Sequence, residues 1–111
     1  MIKCIEVDDE EAINKLLNVI TLDGSRYILY CDYIHVDSLY NDVIQAITNR
    51  YASYITGHIV MPGIRHLVIT KQGVITDVYV MISIKSQFSI KPVVHVIKVD
   101  HGIVNVRTDN Y

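Results

Sequence analysis

One carboxylate stands apart among the groups that could do chemistry. Asp32 sits inside a strand-like run, between Ile28, Tyr30 and Ile34. A carboxyl group at a half-buried strand position is hard to ionise unless it is paired, and perturbed groups gather at functional sites. Two roles fit such a residue. It could work as an acid or base beside a spatially adjacent His or Tyr, or it could form a structural pair with a Tyr hydroxyl or an Arg. Structural pairs perturb titration as well and are the commoner case, so the structural role is favoured.

The other reactive types lack the spacing that chemistry needs. The histidines are His35, His58, His66, His95 and His101, and no C-x-x-C, H-x-H or H-E-x-x-H pattern is present. Cys31 and His35 share a strand face, but four residues at about 3.3 Å each set them about 13 Å apart, too far for one zinc ion. His58, His66 and His95 would meet only if separate strands brought them together. No metal and no cofactor is therefore expected. There is no G-x-S-x-G, and neither Cys4 nor Cys31 begins a helix that would activate a thiolate. Glu6, Asp8, Asp9, Glu10 and Glu11 cluster, yet they read as a helix N-terminus favoured by the helix dipole. Neither a Walker A loop nor G-x-G-x-x-G occurs, so glycines cradle no phosphate. No catalytic residue is assigned, and a non-enzymatic protein is the expectation.

Cations offer an alternative. The segment Lys85-Ser86-Gln87-Phe88-Ser89-Ile90-Lys91 holds two lysines around an aromatic, and Arg65 and Lys71 bracket another run. A sheet with tyrosines on one face could stack bases. Nucleic-acid binding through Arg65, Lys71, Lys85, Phe88 and Lys91 is thus the second reading. The net charge of −2 gives no global field to attract a polyanion, so a solvated basic rim is preferred.

The elements that must position these groups follow from periodicity. Ile2 to Val7 reads as a first strand. Asp8 and Asp9 offer helix caps, Asp8 with Glu11 at capping-box spacing, before the helical stripe Ala12, Ile13, Leu16, Leu17 and Ile20. Arg26 to Val36 alternates with apolar residues on both faces, as a central strand does. Asp37 is the expected cap of a second helix carrying Leu39, Tyr40, Val43, Ile44, Ile47, Tyr51 and Tyr54 and running to about Ser53. His58 to Met61, interrupted by Pro62-Gly63 and continued by Ile64 to Thr70, reads as the next strand. Lys71-Gln72-Gly73 turns the chain into Val74–Ile84. Val93–Val99 and Ile103–Thr108 form a second hairpin through Asp100-His101-Gly102.

The reading is one α+β domain over residues 1–111, in the order βαβαββββ. It has a mostly antiparallel sheet of five or six strands and two helices on one face. Composition agrees: 33 of the 111 residues are Ile or Val, eight are Tyr, and none is Trp. The Ile, Tyr, Asp and Asn bias resembles that of AT-rich genomes, as in small viral or plasmid proteins. The first residues have no apolar leader and turn acidic at once, so an intracellular setting with free thiols is expected, the host cytoplasm if the protein is viral. A Cys4–Cys31 bridge would need neighbouring strands. No run is long and apolar enough for a membrane span.

Two short helices can cover one face of such a sheet but not both. The second face should then expose tyrosine, methionine and isoleucine beyond what a soluble monomer usually shows. A homodimer resolves this, with Tyr30, Ile75, Tyr79 and Met81 as the expected interface, and a sheet curled into a half-barrel that buries its own faces is the alternative. The sequence-level conclusion is a protein that acts through self-association and protein–protein contacts.

Overall fold

A computed structural model describes residues 2–100. The elements in chain order are β1 (Ile2–Glu6), α1 (Glu10–Val19), β2 (Arg26–Asp32), α2 (Val36–Arg50), β3 (Ile55–Met61), β4 (Ile64–Lys71), β5 (Val74–Ile82) and β6 (Val93–Val99), with one 3-10 turn at Ala52–Tyr54 before β3. Asp9 is the α1 cap. Its Oδ1 accepts from the Ala12 amide at 2.8 Å, and Glu10 and Glu11 occupy the dipole-favoured first turn. The α2 helix starts without a side-chain cap. His35 takes the cap position and Asp37 falls inside the first turn, where its charge still suits the dipole.

All six strands form one sheet in the order β1-β6-β2-β5-β4-β3. The α+β class and the element order agree with the pattern in the sequence. The sheet is mixed, because β2 and β5 run parallel while every other neighbouring pair is antiparallel. After α2 the chain makes the hairpin β3–β4, so its next strand, β5, returns to β2 in the parallel sense.

Several boundaries differ from expectation: α2 ends at Arg50 rather than near Ser53, β5 ends at Ile82 rather than Ile84, and two more differ for local reasons. Pro62 and Gly63 do not interrupt one strand. They form the turn of the β3–β4 hairpin, with Gly63 at φ 70°, and β3 begins earlier, at Ile55. The strand expected to reach Val36 stops at Asp32, and Tyr33 to His35 lead into α2. The turn after β4 has Gln72 at φ 51° and Gly73 at φ 80°, the left-handed pair of a two-residue hairpin. The strand expected at Ile103–Thr108 and its turn at His101 and Gly102 lie outside the described residues. Both edges of β6 are taken, by β1 and β2.

The core lies between the helices and one face of the sheet. Tyr27, Leu29 and Cys31 from β2, Leu67 and Ile69 from β4, Val78 and Val80 from β5, and Val94 and Val96 from β6 are all fully buried. Leu16 and Leu17 of α1 and Val43 and Ile47 of α2 close over them. Each such side chain contributes about 1.5–3 kcal/mol of apolar burial. No helix of the described residues is long and apolar enough to cross a membrane.

Candidate functional site

Alternation along the strands sends the remaining residues to the face opposite the helices. Register then sorts them into rows. Cys4, His95, Tyr30, Met81, Ile64 and Met61 cross the whole sheet as successive partners from β1 to β3. The next row runs Ile2, Ile97, Ile28, Tyr79, His66 and Ile59. Tyr30, Tyr79 and Met81 therefore sit side by side in the middle of this face. Ile75 lies on the same face near the start of β5 and is 56% exposed. All four residues expected at an interface are brought to one surface. Among the described residues, no helix covers it.

The surface is organised. The His66 and Tyr79 rings stack at 4.1 Å between centroids and 10° between planes. The His66 Nε2 is 2.9 Å from Asp77 Oδ1. The His66 ring is thus held from two sides, and Tyr79 is stacked against it, so this pair loses little freedom on meeting a partner.

Asp32 lies on this same face, at the carboxyl end of β2, and only 4% of it is exposed. Both oxygens are occupied. Oδ1 accepts from the Ser89 amide at 2.9 Å. Oδ2 accepts from Lys85 Nζ at 2.7 Å and lies 3.3 Å from His95 Nε2, a donor when it carries the proton. Burial opposes ionisation of Asp32. The hydrogen bonds from Lys85, Ser89 and His95 outweigh it and hold the carboxyl below its ordinary value. The partners are neither the Tyr nor the Arg expected for a structural pair. Lys85 and Ser89 come from the segment between β5 and β6, and Ile34 fixes that segment further by donating its amide to the Ser89 carbonyl at 2.8 Å.

Beside this cluster a concavity of about 360 Å³ opens, lined by Tyr30, Ser83, Ile84, Lys85 and His95. It sits where the parallel pair β2 and β5 ends, and Ser83 continues that pairing by donating its amide to the Cys31 carbonyl at 3.0 Å. Ligands of sheets with parallel strands collect at such carboxyl ends. Ser83 and His95 belong to strands on either side of β2, about 10 Å apart at ~4.8 Å per strand, so they do not form a nucleophile–base pair. The larger groove between α1 and α2 is lined by Glu10, Asn14, Asp42, Gln45, Asn49 and Arg50 among others, and Arg50 closes it with hydrogen bonds to Asn14 and Asn18.

The five residues of the nucleic-acid reading do not gather. Lys85 is engaged by Asp32, and Lys91 lies 3.6 Å from Glu6. Phe88 belongs to the same segment between β5 and β6. Arg65 and Lys71 stand near opposite ends of β4, about 20 Å apart at ~3.3 Å per residue. Both point to the helix side, where Arg65 lies 5.9 Å from the Tyr40 ring centre and Lys71 5.2 Å from that of Tyr54.

The histidines also stay apart. His58 meets Arg65 at 3.2 Å, His66 meets Asp77 and His95 meets Asp32. Among the described residues, no three His, Cys, Asp or Glu side chains converge on a metal position. Both thiols are free. Cys4 is on the open face of β1 and Cys31 in the core beneath β2, with β6 between their strands, so a bridge is excluded. Burial pushes the Cys31 thiol up to about 12, which keeps it inert.

No family model matches this chain, and no curated protein or solved structure matches it either. The site must be read from its own geometry. Sequence reasoning singled out Asp32 but missed Ser83, Lys85 and His95 as its surroundings. Their meeting depends on β6 inserting between β1 and β2, for which the linear pattern carries no signal.

Proposed function

We propose that this protein acts through self-association, with the open face of the sheet meeting the same face of a second copy. The supporting observation is the placement of Tyr30, Ile75, Tyr79 and Met81 together on the side that the described helices leave bare. Tyrosine and methionine are enriched at the centres of protein interfaces, and two-fold pairing lets one patch complement itself.

Charge favours a second copy over an ionic partner. Around the open face the carboxylates already have partners in their own chain. Asp32 holds Lys85, Glu6 lies near Lys91, and Asp77 Oδ1 is 2.9 Å from His66 Nε2. With its charges balanced internally, the face meets its own image without net repulsion. Size agrees as well. Six strands at ~4.8 Å spacing and seven residues at ~3.3 Å give roughly 550 Å² in projection. Side-chain relief raises that toward the ~800 Å² per partner of a standard interface. Two twisted sheets would pack face to face about 10 Å apart, at about −30°.

The setting we infer is intracellular, in keeping with the two free thiols, and the compositional bias favours a viral or plasmid origin. Sedimentation velocity across low to high micromolar concentration tests the association. The expected result is a dimer that Tyr79→Arg or Met81→Asp converts to a folded monomer. A wild-type chain that stays monomeric at several hundred micromolar overturns the proposal. So does a monomer that dimerises only when residues 101–111 are removed, because the face would then belong to the chain's own terminal segment.

A further inference from the structure

The concavity at the carboxyl ends of β2 and β5 is lined almost entirely by groups that give hydrogen bonds. Lys85 carries three donors on Nζ and spends one on Asp32. Its side chain is 45% exposed, so the other two are free to turn toward the opening. His95 uses Nε2 on Asp32 and keeps its second ring nitrogen. Tyr30 adds a phenol.

Ser83 adds a hydroxyl. The residue is only 9% exposed and lines the concavity, and no hydrogen bond to another described residue engages its side chain. That hydroxyl is therefore available to a group entering the opening.

No charged acceptor is free. The carboxylate of Asp32 lies behind Lys85 and His95 with both oxygens occupied, and it offers nothing to an incoming cation. A site that presents a partly exposed ammonium beside a hydroxyl and a phenol, with its carboxylate sealed off, favours an oxyanion. Ile84, 93% exposed at the rim, and the Tyr30 ring supply apolar surface beside it. At ~30 Å³ per water-sized atom the space holds roughly ten non-hydrogen atoms. We propose that this concavity binds a small organic acid, its carboxylate or phosphate on Lys85 and Ser83 and its apolar body against Tyr30 and Ile84. The site lies within one protomer but shares Tyr30 with the self-association face, so it is titrated at protein concentrations where the chain is monomeric.

Isothermal titration of the full chain with benzoate, phenyl phosphate, inorganic phosphate and benzylamine tests it. Saturable binding of benzoate or phenyl phosphate, with no binding of benzylamine, is the expected result. Tighter binding of phenyl phosphate than inorganic phosphate assigns the ligand to an organic ester, and the reverse assigns it to the free ion. Ser83→Ala and Lys85→Gln should each weaken binding roughly tenfold, the loss of one hydrogen bond to a charged group. Lys85→Arg, which keeps the charge on Asp32, guards against a folding defect and should retain most of the affinity. Lys91→Gln, outside the lining, should bind as the wild type does. Absence of saturable binding by every anion, a preference for benzylamine, or wild-type affinity in both Ser83→Ala and Lys85→Gln overturns the assignment.

Discussion

On the helix side of β2, Tyr27, Leu29 and Cys31 lose all their exposure, while one residue along, on the opposite face, Ile28 and Tyr30 keep part of theirs. The residue types are alike on the two sides. What differs is what lies over them. On one side α1 and α2 bring Leu16, Leu17, Val43 and Ile47 into contact. On the other, among the described residues, neighbouring strand side chains shield only each other. The same strand therefore carries one face whose role is stability and one whose apolar surface remains to be used. Buried polar residues divide in the same way. On the covered side the Thr76 hydroxyl accepts from the Gly24 amide at 3.0 Å, whereas Ser83 lines the open concavity.

Truncation across this divide should give the largest contrast. Leu29→Ala removes a fully buried side chain and should cost about 2–5 kcal/mol in urea unfolding. Tyr30→Ala, its neighbour on the other face, should cost the isolated protomer less, about 1 kcal/mol, and should instead weaken association. Unfolding at two protein concentrations separates the two effects, since only an interface residue makes the difference concentration-dependent. Equal, concentration-independent losses would remove the distinction between the faces.

The ends of β2 sharpen the comparison further. Asp23, near its start, is bound by Lys98 at 2.8 Å and by the Ser25 amide at 3.1 Å, and accepts from the Tyr27 hydroxyl at 3.2 Å. Asp32, at its end, is held by Lys85, Ser89 and His95. For both, burial works against the charge and the hydrogen bonds overcome it, so each carboxyl is held below its ordinary value. The sign follows. The unfolded chain takes up these protons first as the pH falls, so the stabilisation is complete above about pH 5 and declines below about pH 4. Asp32→Asn should cost about 1–3 kcal/mol at pH 7, because Lys85 and the tie to Ser89 lose their charged acceptor. It should also flatten the acid limb of a stability–pH profile. Asp23→Asn should do so with a smaller loss, since its side chain is 38% exposed and screened by water. A profile with an unchanged acid limb in both variants would show that neither pairing forms in solution.

How far the sequence could lead follows the same line between local and distant information. The helices were legible because Ala12, Ile13, Leu16 and Leu17, and later Val43, Ile44 and Ile47, repeat at helical spacing. The element order was legible because Gly24, Gly57 and Gly73 punctuate the chain. The bare face was legible from arithmetic, as two short helices cannot cover two apolar faces. Strand adjacency was not. Nothing local places Val93–Val99 between β1 and β2, and that insertion alone brings His95 to Asp32. The parallel pairing of β2 with β5 is equally non-local, and with it the position of Ser83. Pro62-Gly63 was misread because a turn and an interruption share the same residues, and only pairing distinguishes them.

The smallest expected effect tests how rigid the open face is. Gly57 of β3 is in register with Val68 of β4, on that face. A Cβ at Gly57 would meet Val68 Cγ2 at 3.0 Å and Val68 Cβ at 3.2 Å. In the core such crowding would force neighbours off their rotamers and cost about 1–3 kcal/mol. Val68 is only half-buried, with nothing described above it, so its side chain can tilt outward by the few tenths of an ångström required. Alanine also restricts the unfolded chain more than glycine does, which recovers about 0.4–1 kcal/mol. Gly57→Ala should therefore change unfolding free energy by less than about 1 kcal/mol in the protomer. If the face is sealed by a second copy, the tilted Val68 has no free space, and the same substitution should lower the dimer's association constant while leaving dilute-solution stability nearly unchanged. A loss of several kcal/mol in the dilute protein would mean that Val68 is already packed from above within a single chain.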